Sequence, residues 1–151
     1  MKLTTKSRYG TRLMLDLAIN AQGKPVSLND VAKRQNISMK YLEHLIRNLK
    51  TAELIKSKRG PFGGHMLAKP PEEISVGDIV RALEGQVVIE NCAEEEERLC
   101  GMCNMAGQCL SQSVWIGASK VLFDYLDQIT IGSLVERKKT AEAKSGRIFS
   151  E

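Results

Sequence analysis

Apolar residues recur at helical spacing from about Ser7 to Asn20, where Tyr9, Leu13 and Leu17 run beside Met14 and Ala18, and this pattern predicts a first helix. The turn Ala21-Gln22-Gly23-Lys24-Pro25, with both common helix breakers, ends it. Ser27 followed by Asp30 has the spacing of a capping arrangement and opens a second helix over Leu28 to about Gln35, with Asn36 and Ile37 as the next turn. Ser38 then caps a third helix, in which Leu42, Leu45, Ile46 and Leu49 form one buried stripe. Its other face displays Lys40, Tyr41, Glu43, His44, Arg47 and Lys50. A short helix, a tight turn and a longer helix with a polar, mostly basic outer face is the pattern of a helix-turn-helix, although a plain helical hairpin shares it.

The segment that follows separates the two. Leu54-Ile55-Lys56-Ser57 and His65-Met66-Leu67-Ala68 read as short strands around the tip Lys58-Arg59-Gly60-Pro61-Phe62-Gly63-Gly64. A glycine-rich hairpin placed directly after the third helix is the wing of a winged helix. Beyond Lys69-Pro70-Pro71, Ser75 and Asp78 repeat the capping pattern and open a short helix through Leu83, and Val87-Val88-Ile89 reads as a small extended piece. The longest helical pattern runs from about Leu110 to Ile129, with Val114, Trp115, Ala118, Val121, Leu122, Tyr125, Leu126 and Ile129 on a broad apolar face. So long an apolar helix outside the winged domain has few places to bury itself. Pairing with a two-fold mate would cover it and set two third helices about one DNA turn, roughly 34 to 36 Å, apart, and packing back on its own domain is the competing arrangement. Thr130 caps a last short helix through Val135, and the polar tail from Glu136 to Glu151 reads as mobile.

The expected fold class is therefore mainly α, a winged helix-turn-helix DNA-binding domain with a long C-terminal dimerisation helix. Its divisions are a DNA-binding domain at 1–89, a cysteine loop at 90–109, a dimerisation region at 110–136 and a basic tail at 137–151. A length of 151 residues suits one such domain with an appendage. No apolar run approaches the roughly 20 residues that span a bilayer, and the first residues lack the apolar core of a signal peptide, so a cytoplasmic protein with no membrane partner is expected.

Charge sharpens the picture. Residues 1–70 hold 14 Lys and Arg against 4 Asp and Glu, a net +10, whereas residues 71–110 hold 2 against 9, a net −7. The basic half matches the helix-turn-helix and can attract a polyanion; a merely solvated basic face would look the same in composition alone. On the third helix Ser38, Lys40, Tyr41, Glu43, His44 and Arg47 are the candidates for contacts to bases or adjacent phosphates of double-stranded DNA, with Glu43 able to accept from a cytosine amino group. At the wing, Lys58 and Arg59 with Gly60, Gly63 and Gly64 would approach the minor groove or backbone. No Ser-His-Asp order, phosphate-binding glycine loop or pair of catalytic carboxylates stands out, and no enzyme is expected.

The acidic middle contains the chain's only four cysteines, spaced Cys92-x7-Cys100-x2-Cys103-x5-Cys109. Four thiols within 18 residues suggest one metal site in a reducing compartment. Zinc suits four thiolates, yet structural zinc sites usually draw on two close pairs and this stretch has one. A disulfide switch, Cys100 with Cys103 or Cys109, is a further reading.

Several ordered blocks carry a family resemblance. They are Leu3 to Gly10 at the start, Ile37 to Glu43 in the third helix, Arg59 to Gly64 in the wing, Cys109-Leu110 six residues before Trp115, and Ile129 to Val135. Together they resemble the IscR/NsrR family of bacterial transcription regulators over residues 1 to about 136. The resemblance implies a homodimer through the 110–129 helix, a pseudo-palindromic operator, and an iron-sulfur cluster in the loop whose state changes operator affinity. It also implies phosphate anchoring by Thr4, Thr5, Arg8 and Tyr9. The family draws three ligands from this loop and a fourth from elsewhere. Here the histidine position of one branch is Gln112 and the carboxylate position of another is Arg8, so neither usual fourth ligand is present. The extra cysteine can replace it, since iron prefers thiolates and four could hold a [2Fe-2S] or a [4Fe-4S] cluster. Cys103 and Cys109 keep the family spacing, Cys92 is the distal ligand, and Cys100 is either a ligand or a free thiol beside the cluster. A cluster-free, zinc or thiol-switch regulator of the same fold, and an electron-transfer iron-sulfur protein that binds no DNA, are the alternatives.

Overall fold

The structure, a computed structural model, describes the backbone of residues 4–21, 23–84 and 109–148. Helix α1 spans Thr5–Asn20 and begins two residues before the sequence pattern does. Thr4 caps it by accepting from the Lys6 amide, and Glu84, from far along the chain, takes up the Thr4 and Ser7 amides as well. One face of α1 buries Leu13, Met14 and Leu17 completely.

Helix α2, Leu28–Gln35, has the expected bounds, but Ser27 makes no side-chain cap bond there, so the capping role expected of it is not realised. Its C-cap Asn36 adopts the left-handed conformation at φ 52°, a state asparagine tolerates better than other non-glycine residues, and so turns the chain into α3. Helix α3, Met39–Thr51, is capped by the Ser38 side chain, which accepts from the Tyr41 amide. Leu42, Leu45 and Leu49 are fully buried and Ile46 nearly so. Each such side chain removed from water contributes about 1.5–3 kcal/mol, which is why the stripe holds α3 against α1 and α2.

Strands β1, Ile55–Lys58, and β2, Gly64–Leu67, pair antiparallel with Ile55 opposite Leu67 and Lys58 opposite Gly64, and the bounds of each strand lie one residue from those expected. Val26, ahead of α2, bridges to His65 through two backbone bonds of 2.8 Å and ties the wing base to the helix-turn-helix. A Cβ on Gly64 would strike the Val26 carbonyl, so this close approach requires glycine.

A single 3₁₀ turn, Pro71–Glu73, leads to α4, Val76–Glu84. The reciprocal cap expected here is present: the Ser75 amide donates to Asp78 and the Asp78 amide to the Ser75 hydroxyl, both at 3.0 Å. Helix α5, Gln112–Asp127, is the long helix of the pattern, and among the described elements it packs chiefly on α4. The chain then returns. Val76 donates to the Ile129 carbonyl at 2.8 Å and Ile131 to the Ile74 carbonyl at 2.9 Å, so Ile131 enters the core of the winged domain with no exposure. Helix α6, Ile131–Ile148, packs on α1 and the 3₁₀ turn. It does not stop at Val135 as the apolar pattern suggests, because helix-forming Glu, Lys and Ala residues and the ion pairs Lys139–Glu136 and Lys138–Glu142 extend it. Among the described residues no helix is long and apolar enough to cross a membrane. The expected extended piece at Val87–Ile89 lies outside the described residues.

Candidate nucleic-acid interface and cysteine segment

The outer face of α3 leaves Lys40, Glu43, His44 and Arg47 exposed because the opposite stripe is buried, and the wing continues this surface. Glu43, Arg47 and Lys50 from α3 and Ser57 and His65 from the wing line one open groove of about 430 Å³, whose floor includes Leu28 and Ile46. Recognition helix and wing thus share a face. Lys40, Arg47, Lys50, Lys58 and Arg59 are all exposed, and none is paired with a carboxylate among the described residues. Exposed cations without a carboxylate partner among the described residues suit phosphate binding, since each can displace a condensed counterion. His65 is more structural than the sequence suggests. It is half-buried, its Nδ1 lies 3.0 Å from the Ser57 hydroxyl, and burial together with the nearby Lys50 charge lowers its pKa.

The start of α1 reaches the same edge through aromatic contacts. The Tyr9 and Tyr41 rings meet edge to face at 5.7 Å, the Arg12 guanidinium lies 5.5 Å from the Tyr9 ring centre, and the Thr5 hydroxyl is 3.2 Å from that of Tyr41. Thr5 and Arg8 are exposed, whereas the Thr4 hydroxyl is turned inward and donates to Glu84 at 2.7 Å. The helix-turn-helix is further locked by Asp16, 3% exposed, whose carboxylate takes a forked pair of bonds from Arg34 and one from Gln35. Burial pushes the Asp16 carboxyl upward, and the bonds and charge of Arg34 with the Gln35 bond outweigh it, leaving the group below its ordinary range.

Helix α4 joins three regions. At its end, four donors from Thr4 and Ser7 converge on Glu84 Oε1, immediately before the segment that carries the cysteines. Burial raises the Glu84 carboxyl and the Ser7 and Thr4 donors lower it further, for a net depression. One turn earlier, Arg81 forms a bidentate pair with Asp127 at 2.6 and 2.8 Å and covers the Phe123 ring at 4.6 Å, which pins the C-terminal end of α5. Neither Glu84 nor Arg81 is marked by any motif; their partners lie 77–80 and 46 residues away.

Of the four cysteines only Cys109 falls within the described residues; Cys92, Cys100 and Cys103 lie outside them. Cys109 is partly exposed just ahead of α5, and its thiol is 3.1 Å from the Ser111 hydroxyl. That hydroxyl, with the backbone amides of Ser111 and Gln112, lowers its pKa toward the thiolate form. Among the described residues no three His, Cys, Asp or Glu side chains gather into a metal site.

The architecture and the sequence both find relatives. "Protein rrf2" of Nitratidesulfovibrio vulgaris is 45% identical over 135 residues, which is 89% of this chain and 87% of that one. The solved structure of T. potens IscR is similar at a TM-score of 0.73 and 37% identity, covering 93% of this chain and 90% of its own. That of CymR, the global cysteine regulator of B. subtilis, is similar at 0.72 and 32%, covering 91% and 98%. The profile of the Rrf2 family, described as iron-dependent transcriptional regulators, matches residues 3–137. With a basic recognition helix and wing on one face and a family profile over nearly its whole length, the chain belongs to the Rrf2 family and is a winged helix-turn-helix DNA-binding transcription regulator, not an enzyme.

Proposed function

We propose that the protein acts as a homodimer on a pseudo-palindromic operator and that an iron-sulfur cluster at Cys92, Cys100, Cys103 and Cys109 sets its affinity. The observation that carries the cluster reading is the placement of Cys109, a partly exposed thiol just ahead of α5 and within 18 residues of sequence of three further thiols. This donor set fits iron. When bound, the cluster supplies a group whose assembly, loss or reduction changes the charge and order of the segment between α4 and α5.

The rest is the work of the chain's own residues. In each protomer α3 enters a major groove, where Ser38, Lys40, Tyr41, Glu43, His44 and Arg47 meet bases and adjacent phosphates. Lys58, Arg59 and the glycines of the tip engage the backbone and minor groove, and Thr5, Arg8 and Tyr9 hold phosphates from α1. Val114, Ala118, Val121 and Tyr125 follow one another at i, i+4, i+7 and i+11 and are all exposed, Val121 at 70% and Tyr125 at 62%. This is a seam for a second copy of α5. Changes in the cysteine segment reach DNA through α4: Glu84 holds the start of α1 and Arg81 holds the end of α5, so strain in α4 shifts phosphate-anchoring residues and dimer geometry together.

Anaerobic purification with iron, sulfide and visible absorption measured is the test. A chromophore with stoichiometric iron and sulfide that is lost in Cys109→Ala supports the reading; zinc alone, or neither metal, overturns it. A thiol-switch regulator is the second reading, favoured by the partly exposed Cys109 thiol, whose pKa the Ser111 hydroxyl lowers, and it would give a metal-free protein whose DNA affinity follows oxidation.

A further inference from the structure

Phe62 at the wing tip is 91% exposed. The Gly63 amide donates to the Gly60 carbonyl at 2.9 Å, which closes a four-residue turn with Pro61 and Phe62 at its two central places. Gly60 sits at φ 117°, a conformation other residues rarely adopt, and proline restricts the next φ, so the turn presents the ring outward. No described residue covers it. An exposed phenyl ring forgoes the gain of burial, and this one stands at the wing tip with Lys58 and Arg59, neither of them paired with a carboxylate among the described residues.

We propose that Phe62 is an apolar wedge that enters the operator minor groove between phosphates held by Lys58 and Arg59 and partly unstacks one base step. The proposal rests on the DNA-binding reading and adds a determinant of specificity that α3 does not supply. Unstacking is costly and least so at pyrimidine–purine steps, whereas A-tracts are stiff. Burial of the ring offsets the cost at a flexible step and fails to do so at a stiff one. The wing therefore reads deformability, and it does so with an uncharged group, so its contribution is independent of counterion release.

The test uses the full-length protein and a duplex it enriches from a random-sequence pool. Minor-groove footprinting locates the step under the wing, and TA, CA and AA are placed there in turn. Expected are about tenfold tighter binding to the TA than to the AA duplex, loss of that preference in Phe62→Ala, and an unchanged slope of affinity against salt. Phe62→Leu should keep part of the preference. With 2-aminopurine at the step, fluorescence should rise on adding the wild-type protein and not Phe62→Ala. Equal affinity of wild type and Phe62→Ala on every duplex, or an equal loss on all of them without a fluorescence change, overturns the wedge while leaving DNA binding intact. Failure to enrich any duplex overturns both.

Discussion

Glu84 accepts from both the hydroxyl and the amide of Ser7, at 2.6 and 3.3 Å, across 77 residues of sequence. It is a helix cap delivered from another helix. Removing it in Glu84→Ala leaves the Thr4 and Ser7 donors without their partner and should cost about 0.5–2 kcal/mol, the range of lost caps. Denaturant midpoints measure the loss, and hydrogen exchange should show it as fraying confined to the first turn of α1. Under the proposed function the same variant should also weaken DNA binding, because Thr5 and Arg8 lie in that turn.

Stability should fall in acid through two named carboxylates. Asp16 and Glu84 both have pKa values lowered in the folded state, so each stabilises the fold fully above its unfolded value of about 4 and loses that contribution as pH falls through the folded value. Unfolding midpoints between pH 2 and 7 should drop steeply below about pH 4. Asp16→Asn should be less stable at pH 7 and show a shallower drop; a drop of unchanged steepness would rule out Asp16 as a source.

The stripe on α3 and the wing are legible in the sequence because each depends on local periodicity and glycine placement, and the strands are off by only one residue. What sequence cannot display is a partner far along the chain. Asp16 reads as a polar intruder on the buried face of α1 until Arg34 is seen to fork onto it. Glu84 and Arg81 look like ordinary surface charges for the same reason. Helix α6 was cut short because apolar periodicity ends at Val135 while helix propensity does not. In the candidate site, the exposure of the α3 and wing cations follows from the sequence pattern, whereas the place of Lys50 in the groove and the Thr4 bond to Glu84 depend on tertiary contacts.

On DNA the cations and Glu43 should separate cleanly. Arg59→Ala should weaken binding to all sequences and reduce the salt slope by about 1, whereas Glu43→Ala should relax preference at one base pair by about 1–3 kcal/mol with the slope retained. Salt titrations against single-base operator variants distinguish these outcomes, and their exchange would reassign both residues.

Val121→Glu places a charge on the exposed α5 stripe without disturbing a buried contact. Sedimentation should show a monomer that keeps the wild-type helical content. Operator affinity should fall at least tenfold as the second half-site is lost.

Arg81→Ala tests the route through α4. It should remove the grip on Asp127 and Phe123; under the proposed function it should leave metal content intact and shrink the difference in DNA affinity between cluster-loaded and stripped protein. A full difference retained in this variant would place the coupling elsewhere.

The burial of Ile131 has a consequence for how the protein can be divided. This residue follows α5, yet it fills the interior of the DNA-binding half, held by a backbone bond to Ile74. A fragment ending before the cysteines would contain every residue proposed to face DNA and still have a vacancy at its centre. The stretch of sequence that holds the cysteines, together with α5, thus falls between two parts of one core, and selection cannot exchange it between regulators without also carrying along Ile131, the plug that completes that core.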